Sequence, residues 1–256
     1  MPLLQLTDVR KAFGGLVAVK DLSFELAEGS IAAMIGPNGA GKSTVFNLIT
    51  GIYAPDAGSL VFDGKKLGGL GTARIASLGI ARTFQNIRLF AYMSALDNVM
   101  TGRHARMHAG IFGSLVHTPR QRAEERAVRE RARELLRFVE LERYAGSYAR
   151  NLPYGGQRRL EIARALAGDP KLLLLDEPAA GMNPREKDAL IGLIARIRES
   201  GVTVFLIEHD MALVMNVSER VTVLDYGEKI AEGLPDVVRR DERVIEAYLG
   251  RAEGAA

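Results

Sequence analysis

The residues with the most chemical content lie in one turn, Gly36-Pro37-Asn38-Gly39-Ala40-Gly41-Lys42-Ser43-Thr44, which reads G-x-x-x-x-G-K-S. That pattern makes a phosphate-binding P-loop when a strand leads in and a helix leads out. Both flanks fit: Ile31-Ala32-Ala33-Met34-Ile35 has the character of a buried strand, and Val45-Phe46-Asn47-Leu48-Ile49-Thr50 that of a helix stopped by Gly51. Glycines at 36, 39 and 41 let the backbone turn its N–H groups inward with no side chain in the way. The helix N-terminus adds positive potential for an anion. Lys42 can neutralise β and γ phosphates, and the Ser43 hydroxyl can ligate Mg²⁺. The expected ligand is a nucleoside triphosphate with its metal, held by Gly36, Asn38, Gly39, Ala40, Gly41, Lys42, Ser43 and Thr44.

A second group follows the apolar run Leu172-Leu173-Leu174-Leu175, which leads straight into Asp176-Glu177-Pro178. An acid at the carboxyl end of a core strand points toward a P-loop. Asp176 can hold Mg²⁺ through water, and Glu177 can orient and deprotonate an attacking water. A third group, Tyr154-Gly155-Gly156-Gln157, offers paired glycines at a helix start, where backbone donors can meet an anion.

The elements that must position these groups read as an α/β chain. Leu3 to Asp8 and Leu22 to Leu26 alternate apolar and polar residues, as half-buried strands do, so antiparallel β structure precedes the P-loop strand. Ser59 to Phe62 is a strand ending in the hairpin signal Asp63-Gly64. Ala73 to Leu78 is a short helix and Ile80 to Phe84 a short strand leading into Gln85. From Asn86 to about Leu152 the strand signal fades. Ser94 can cap a helix to Thr101, and Pro119 opens a charged helix over Arg120–Leu141 with Val128, Ala132, Leu135, Leu136 and Val139 at helical spacing. This stretch reads as a helical insertion. Beyond it come a helix over Gly155–Ala167, the Leu172–Leu175 strand, an amphipathic helix over Arg185–Arg198 and a buried strand over Val202–Ile207. Alternating helix and strand predict a largely parallel core sheet. Val221–Leu224 and Lys229–Ala231 flank Gly227 as a last hairpin.

At 256 residues and a net charge of +3, the chain has material for a real core and only a weak claim on nucleic acid, so none is expected as partner. It has no apolar run long enough to span a bilayer and no basic-then-apolar leader pattern. The lack of cysteine excludes disulfides and fits a cytosolic setting.

Taken together, these groups resemble the nucleotide-binding subunits of ABC transporters. Gly36–Ser43 matches Walker A, Leu172–Glu177 matches Walker B, Tyr154–Gln157 resembles the signature, Gln85 in Thr83-Phe84-Gln85-Asn86 the Q-loop glutamine, and His209 in Glu208-His209-Asp210 the switch histidine. All occur in family order. The resemblance implies a P-loop NTPase of the ABC ATPase fold: one domain over 1–256, with an α/β core of 1–85 and 153–256, an N-terminal antiparallel β subdomain and an inserted helical subdomain over 86–152. It implies that Phe13 stacks on adenine and that Gln85 touches Mg²⁺ and the attacking water. It further implies that His209 bonds the γ-phosphate and that ATP and Mg²⁺ are the cofactors. Such domains work as head-to-tail pairs, each ATP lying between one Walker A and the other subunit's signature. Two positions depart from the pattern. Tyr154 stands where the family usually has serine, and Met182-Asn183 where it usually has Leu-Asp. Both bear on the half-site that this signature presents and leave the chain's own Walker A untouched.

Finer stretches resemble the branched-chain amino acid importers: Phe13-Gly14-Gly15-Leu16, Arg82 to Phe90, Glu177 to Pro184, the Gly110–Arg122 insertion and the ending Ala247-Tyr248-Leu249-Gly250. That branch implies two membrane permeases, a second, different or identical ATPase subunit and a periplasmic or extracellular solute-binding protein. It places the chain peripherally on the cytoplasmic face of the inner membrane. Urea and lipopolysaccharide ABC transporters share much of the pattern. A soluble ABC ATPase acting on DNA or ribosomes, or a regulatory nucleotide-binding module, is the alternative from another class. The acid-free segment Arg103 to Val116, with Ile111, Phe112 and Leu115, reads as an ordinary surface excursion, with a place near the membrane or the permease as the alternative; His104 and His108 within it are spaced i, i+4 but lack a third metal ligand and read as exposed.

Overall fold

A computed structural model describes residues 2–103 and 119–249. The segment with His104, His108, Ile111, Phe112 and Leu115 lies outside the described residues.

The five-residue apolar runs become the inner strands of a six-stranded sheet. Its order is β10 (Glu228–Gly233), β9 (Arg220–Asp225), β3 (Ile31–Ile35), β8 (Thr203–Ile207), β7 (Leu172–Asp176) and β6 (Ile80–Arg82). All neighbours are parallel except β10 on β9, the hairpin that the sequence predicts around Gly227. Every residue of β3, β7 and β8 is buried, because both faces are covered. The period of two divides them. Ala33, Ile35, Leu173, Leu175, Val204 and Leu206 pack on the helices of one face. Ala32, Met34, Leu172, Leu174, Phe205 and Ile207 pack on the other face, which carries α1 (Lys42–Ile49) and a four-stranded antiparallel sheet. That sheet has the order β2 (Leu16–Ala27), β1 (Pro2–Phe13), β4 (Ala57–Phe62) and β5 (Lys65–Lys66). Both long strands outrun their alternating stretches, and register shifts in the β1–β2 pairing account for the loss of pattern.

The remaining helices are α2 (Thr72–Ser77), α3 (Ala95–Gly102), α4 (Pro119–Phe138), α5 (Tyr154–Leu166), α6 (Pro184–Glu199), α7 (Met211–Val217), α8 (Pro235–Val238) and α9 (Glu242–Leu249). Ser94 caps α3 by accepting from the Asp97 amide at 3.0 Å, as expected from sequence. The buried stripe of α4 is the one read from spacing: Val128, Ala132, Leu135 and Leu136, followed by Val139. The helix ends three residues earlier than its apolar pattern suggests. Glu140 turns left-handed (φ 61°), its N–H donates to Arg137 O at 3.0 Å, and Leu141 N–H reaches back to Leu136 O at 2.7 Å. This is a Schellman cap, and Leu141 is its buried apolar contact rather than another helical position.

Candidate nucleotide site

β3 delivers the chain into the P-loop and α1 takes it out, three residues sooner than Val45. The loop closes by Ala40 N–H donating to Pro37 O at 3.2 Å and by Gly227 N–H donating to Ala40 O at 3.0 Å. Gly41 caps α1 at φ 102°, and a Cβ there would stand 2.3 Å from Ala18 O of β2. Gly39 is also left-handed (φ 80°), yet its missing Cβ would meet nothing within 4 Å. Gly41→Ala is therefore expected to cost roughly 2 kcal/mol or more through strain and clash, lowering Tm by about 5 °C, with Gly39→Ala milder. A thermal melt of the two variants checks the order. The Lys42 side chain is folded into the cradle, its Nζ donating to Gly36 O at 2.7 Å and to Pro37 O at 2.9 Å. Lys42 is 7% exposed, whereas Asn38, Gly39 and Ser43 face solvent. A bare backbone nest with a buried ammonium fits a polyphosphate.

Asp176 ends β7 and is buried; its Oδ2 accepts from Arg82 Nη2 at 2.7 Å. Arg82 also donates from Nη1 to Asn47 Oδ1 of α1 at 2.7 Å, so one guanidinium ties the acid strand to the P-loop helix. Glu177 follows in a left-handed conformation (φ 45°), with its N–H donating to Ile207 O at 2.9 Å. Its Oε2 accepts from Gln85 Nε2 at 2.9 Å and lies 3.8 Å from His209 Nδ1. The structure thus brings Gln85, Glu177 and His209 together after three different strands. Among the described residues no group of three or more His, Cys, Asp or Glu could hold a metal. The candidate donors, one carboxylate (Asp176), one hydroxyl (Ser43) and one amide (Gln85), are of the oxygen type that suits Mg²⁺, which keeps waters and substrate oxygens in its shell.

Nothing in the sequence pattern marks Glu208. It is fully buried at the end of β8. Its Oε1 accepts from Ala179 N–H at 2.8 Å, and its Oε2 from His209 N–H at 3.1 Å and Asp210 N–H at 3.4 Å. Burial pushes its carboxyl up from the usual range, and the three amide donors oppose that shift. One buried side chain thus holds the loops of both Glu177 and His209. Glu208→Gln keeps one acceptor oxygen and turns an NH₂ toward at least one backbone N–H. It is expected to cost about 1–3 kcal/mol of stability, read as a shifted urea midpoint.

Phe13 ends β1 half-exposed, with Tyr53 edge-on at 5.0 Å and Lys11 Nζ 5.5 Å from its ring centre. Gly155 and Gly156 lie buried in the first turn of α5, which no side chain caps. Gln157 folds back instead, its Nε2 donating to Leu152 O at 2.9 Å. Tyr154 donates its hydroxyl to Ala180 O at 2.9 Å, an inward bond that no spacing argument foresees. Asn183 forms a capping box with Glu186 at the start of α6, so the amide at this position has a structural task of its own.

The ABC transporter family profile matches residues 19–180, and that of the branched-chain amino acid ATP-binding cassette transporters matches residues 228–254. The high-affinity branched-chain amino acid transport ATP-binding protein BraF of Pseudomonas aeruginosa is 46% identical over 98% of this chain and 99% of its own length. The protein of the same description called LivG, from Escherichia coli, is 44% identical over the same shares. Among solved structures, the ADP conformation of MJ1267, an ATP-binding cassette of an ABC transporter, superposes with a TM-score of 0.86 at 32% identity, covering 98% of this chain and 99% of that one. The chain belongs to the ABC transporter family, as one of its ATP-binding subunits.

Proposed function

We propose that the chain is the ATP-hydrolysing motor of an importer for branched-chain amino acids. The observation that carries the chemistry is the convergence of Gln85, Glu177 and His209 after β6, β7 and β8, all on the same side of β3, the strand of that sheet whose end runs into the P-loop. The substrate class is carried by near-full-length identity to BraF and LivG. In this reading the P-loop amides from Gly36 to Thr44 and the Lys42 ammonium hold the phosphates, and Phe13 offers an aromatic face to the adenine. Ser43, Asp176 and Gln85 hold Mg²⁺, which neutralises phosphate charge when bound. Glu177 takes the proton of the attacking water, and His209 steadies the γ-phosphate as charge develops.

A single chain carries one P-loop and one uncapped α5 terminus, so a complete pair of sites needs a second ATPase subunit. The Gly155 and Gly156 amides are its contribution to the partner's nucleotide. The chain works at the cytoplasmic face of the membrane on two permeases, with a solute-binding protein beyond them. Among the described residues no helix is long and apolar enough to cross a membrane. Affinity purification from native membranes tests the assembly. Two permeases and a second ATPase are expected to copurify; recovery of this chain alone, or on ribosomes, would remove the importer and leave the ATPase.

A further inference from the structure

The loop that carries Glu177 is closed into a ring of hydrogen bonds running through the first turn of α5. We propose that Tyr154 is a positioning residue: its hydroxyl, with Arg158, locks the loop after β7 to the loop after β6 and so sets Glu177 against Gln85. The proposal rests on the reading of Glu177 as the base.

A phenol has one proton to donate and two lone pairs. The Tyr154 proton goes to Ala180 O at 2.9 Å, and the oxygen accepts from Arg158 Nε at 3.2 Å and Nη2 at 2.9 Å. All of its capacity is used within the chain, so no proton remains for a phosphate. Arg158 is 4% exposed, and its Nη1 and Nη2 also donate to Phe84 O and Gln85 O. One guanidinium therefore grips the backbone on which Gln85 sits.

The circuit closes through Glu177. Gln85 Nε2 donates to Glu177 Oε2 at 2.9 Å, and Ala180 N–H donates to Glu177 O at 3.2 Å. Gly181, left-handed at φ 75°, runs along the Tyr154 ring; a Cβ there would stand 3.3 Å from it. Glu177 is thereby held from its side chain through Gln85 and from its main chain through Ala180. Both restraints meet at the Tyr154–Arg158 pair. A serine at 154 has no ring to reach Ala180 from α5, so it cannot complete the circuit.

The test uses the purified complex carrying Tyr154→Phe or Tyr154→Ser. Two readouts are taken: kcat and KM for ATP, and amide hydrogen exchange in the nucleotide-free protein over residues 84–88 and 178–183. Tyr154→Phe removes only the hydroxyl and is expected to lower kcat about tenfold, the equivalent of about 1.4 kcal/mol, with KM changed less than about twofold. Exchange is expected to quicken in both segments, and Tyr154→Ser to be no faster an enzyme than Tyr154→Phe. Turnover by Tyr154→Ser at or above the wild-type rate, or unchanged exchange in Tyr154→Phe, would overturn the assignment. Lys42→Ala runs alongside. If it is inactive while Tyr154→Ser is fully active, only the role of Tyr154 falls; if Lys42→Ala itself hydrolyses normally, the underlying site reading falls with it.

Discussion

Lys42→Ala abolishes nucleotide binding at working concentrations: the expected loss of ATP affinity is about 10²-fold or more. The Lys42 ammonium is buried, and it is already aimed into the loop by Gly36 O and Pro37 O. A hydrogen bond to a charged group is worth about 1.5–3 kcal/mol, and the ammonium serves two phosphates, so the loss exceeds about 3 kcal/mol. The fold should survive, because the loop is closed by backbone bonds at Ala40 and Gly227 rather than by Lys42 alone. Equilibrium binding of a fluorescent ATP analogue checks the affinity, and a thermal melt checks the fold. Affinity within a few-fold of wild type would mean that the phosphates sit elsewhere.

Glu177→Gln should separate binding from turnover. The amide keeps the size of the carboxylate and can still turn an oxygen toward Gln85 Nε2, while the P-loop is untouched. It cannot take a proton. A general base contributes roughly 10²–10⁴-fold, so kcat is expected to fall by about that factor with ATP affinity nearly unchanged. Phosphate release under single-turnover conditions measures the loss. The left-handed backbone at Glu177 adds a reason for expecting function there: a non-glycine residue in that region is held by its surroundings, here by Ile207 O and by Glu208 through Ala179.

The parts of the site legible in the sequence are those whose geometry is local. The P-loop is a run of glycines between a strand and a helix, and Asp176-Glu177 ends an apolar run; the turn and the strand end dictate where the atoms go. The Ser94 cap and the α4 stripe were legible for the same reason, since three- and four-residue spacings decide them. Arg82, Arg158 and Glu208 were not. Each is a charged residue, on a strand (Arg82), on a helix (Arg158) or just past a strand end (Glu208), that a sequence reading assigns to solvent. Arg158 and Glu208 are buried, and Arg82 partly so, only because distant segments close over them: α1 and β7 around Arg82, the loop after β6 against Arg158, the loop after β7 against Glu208. The short α7, α8 and α9 are not foreseen in the sequence, although the similarly short α1, α2 and α3 are. The departure at Tyr154 was visible, but its meaning was not, since the direction of a phenol depends on a carbonyl 26 residues away.

The motor reading is tested most directly by solute uptake. Proteoliposomes holding the complex that copurifies with this chain, with the solute-binding protein outside and ATP inside, are given labelled leucine. The wild type is expected to accumulate leucine only with ATP, and the Glu177→Gln complex to accumulate none while still binding nucleotide. Uptake by the Glu177→Gln complex at the wild-type rate would contradict the claim that hydrolysis at this site drives transport.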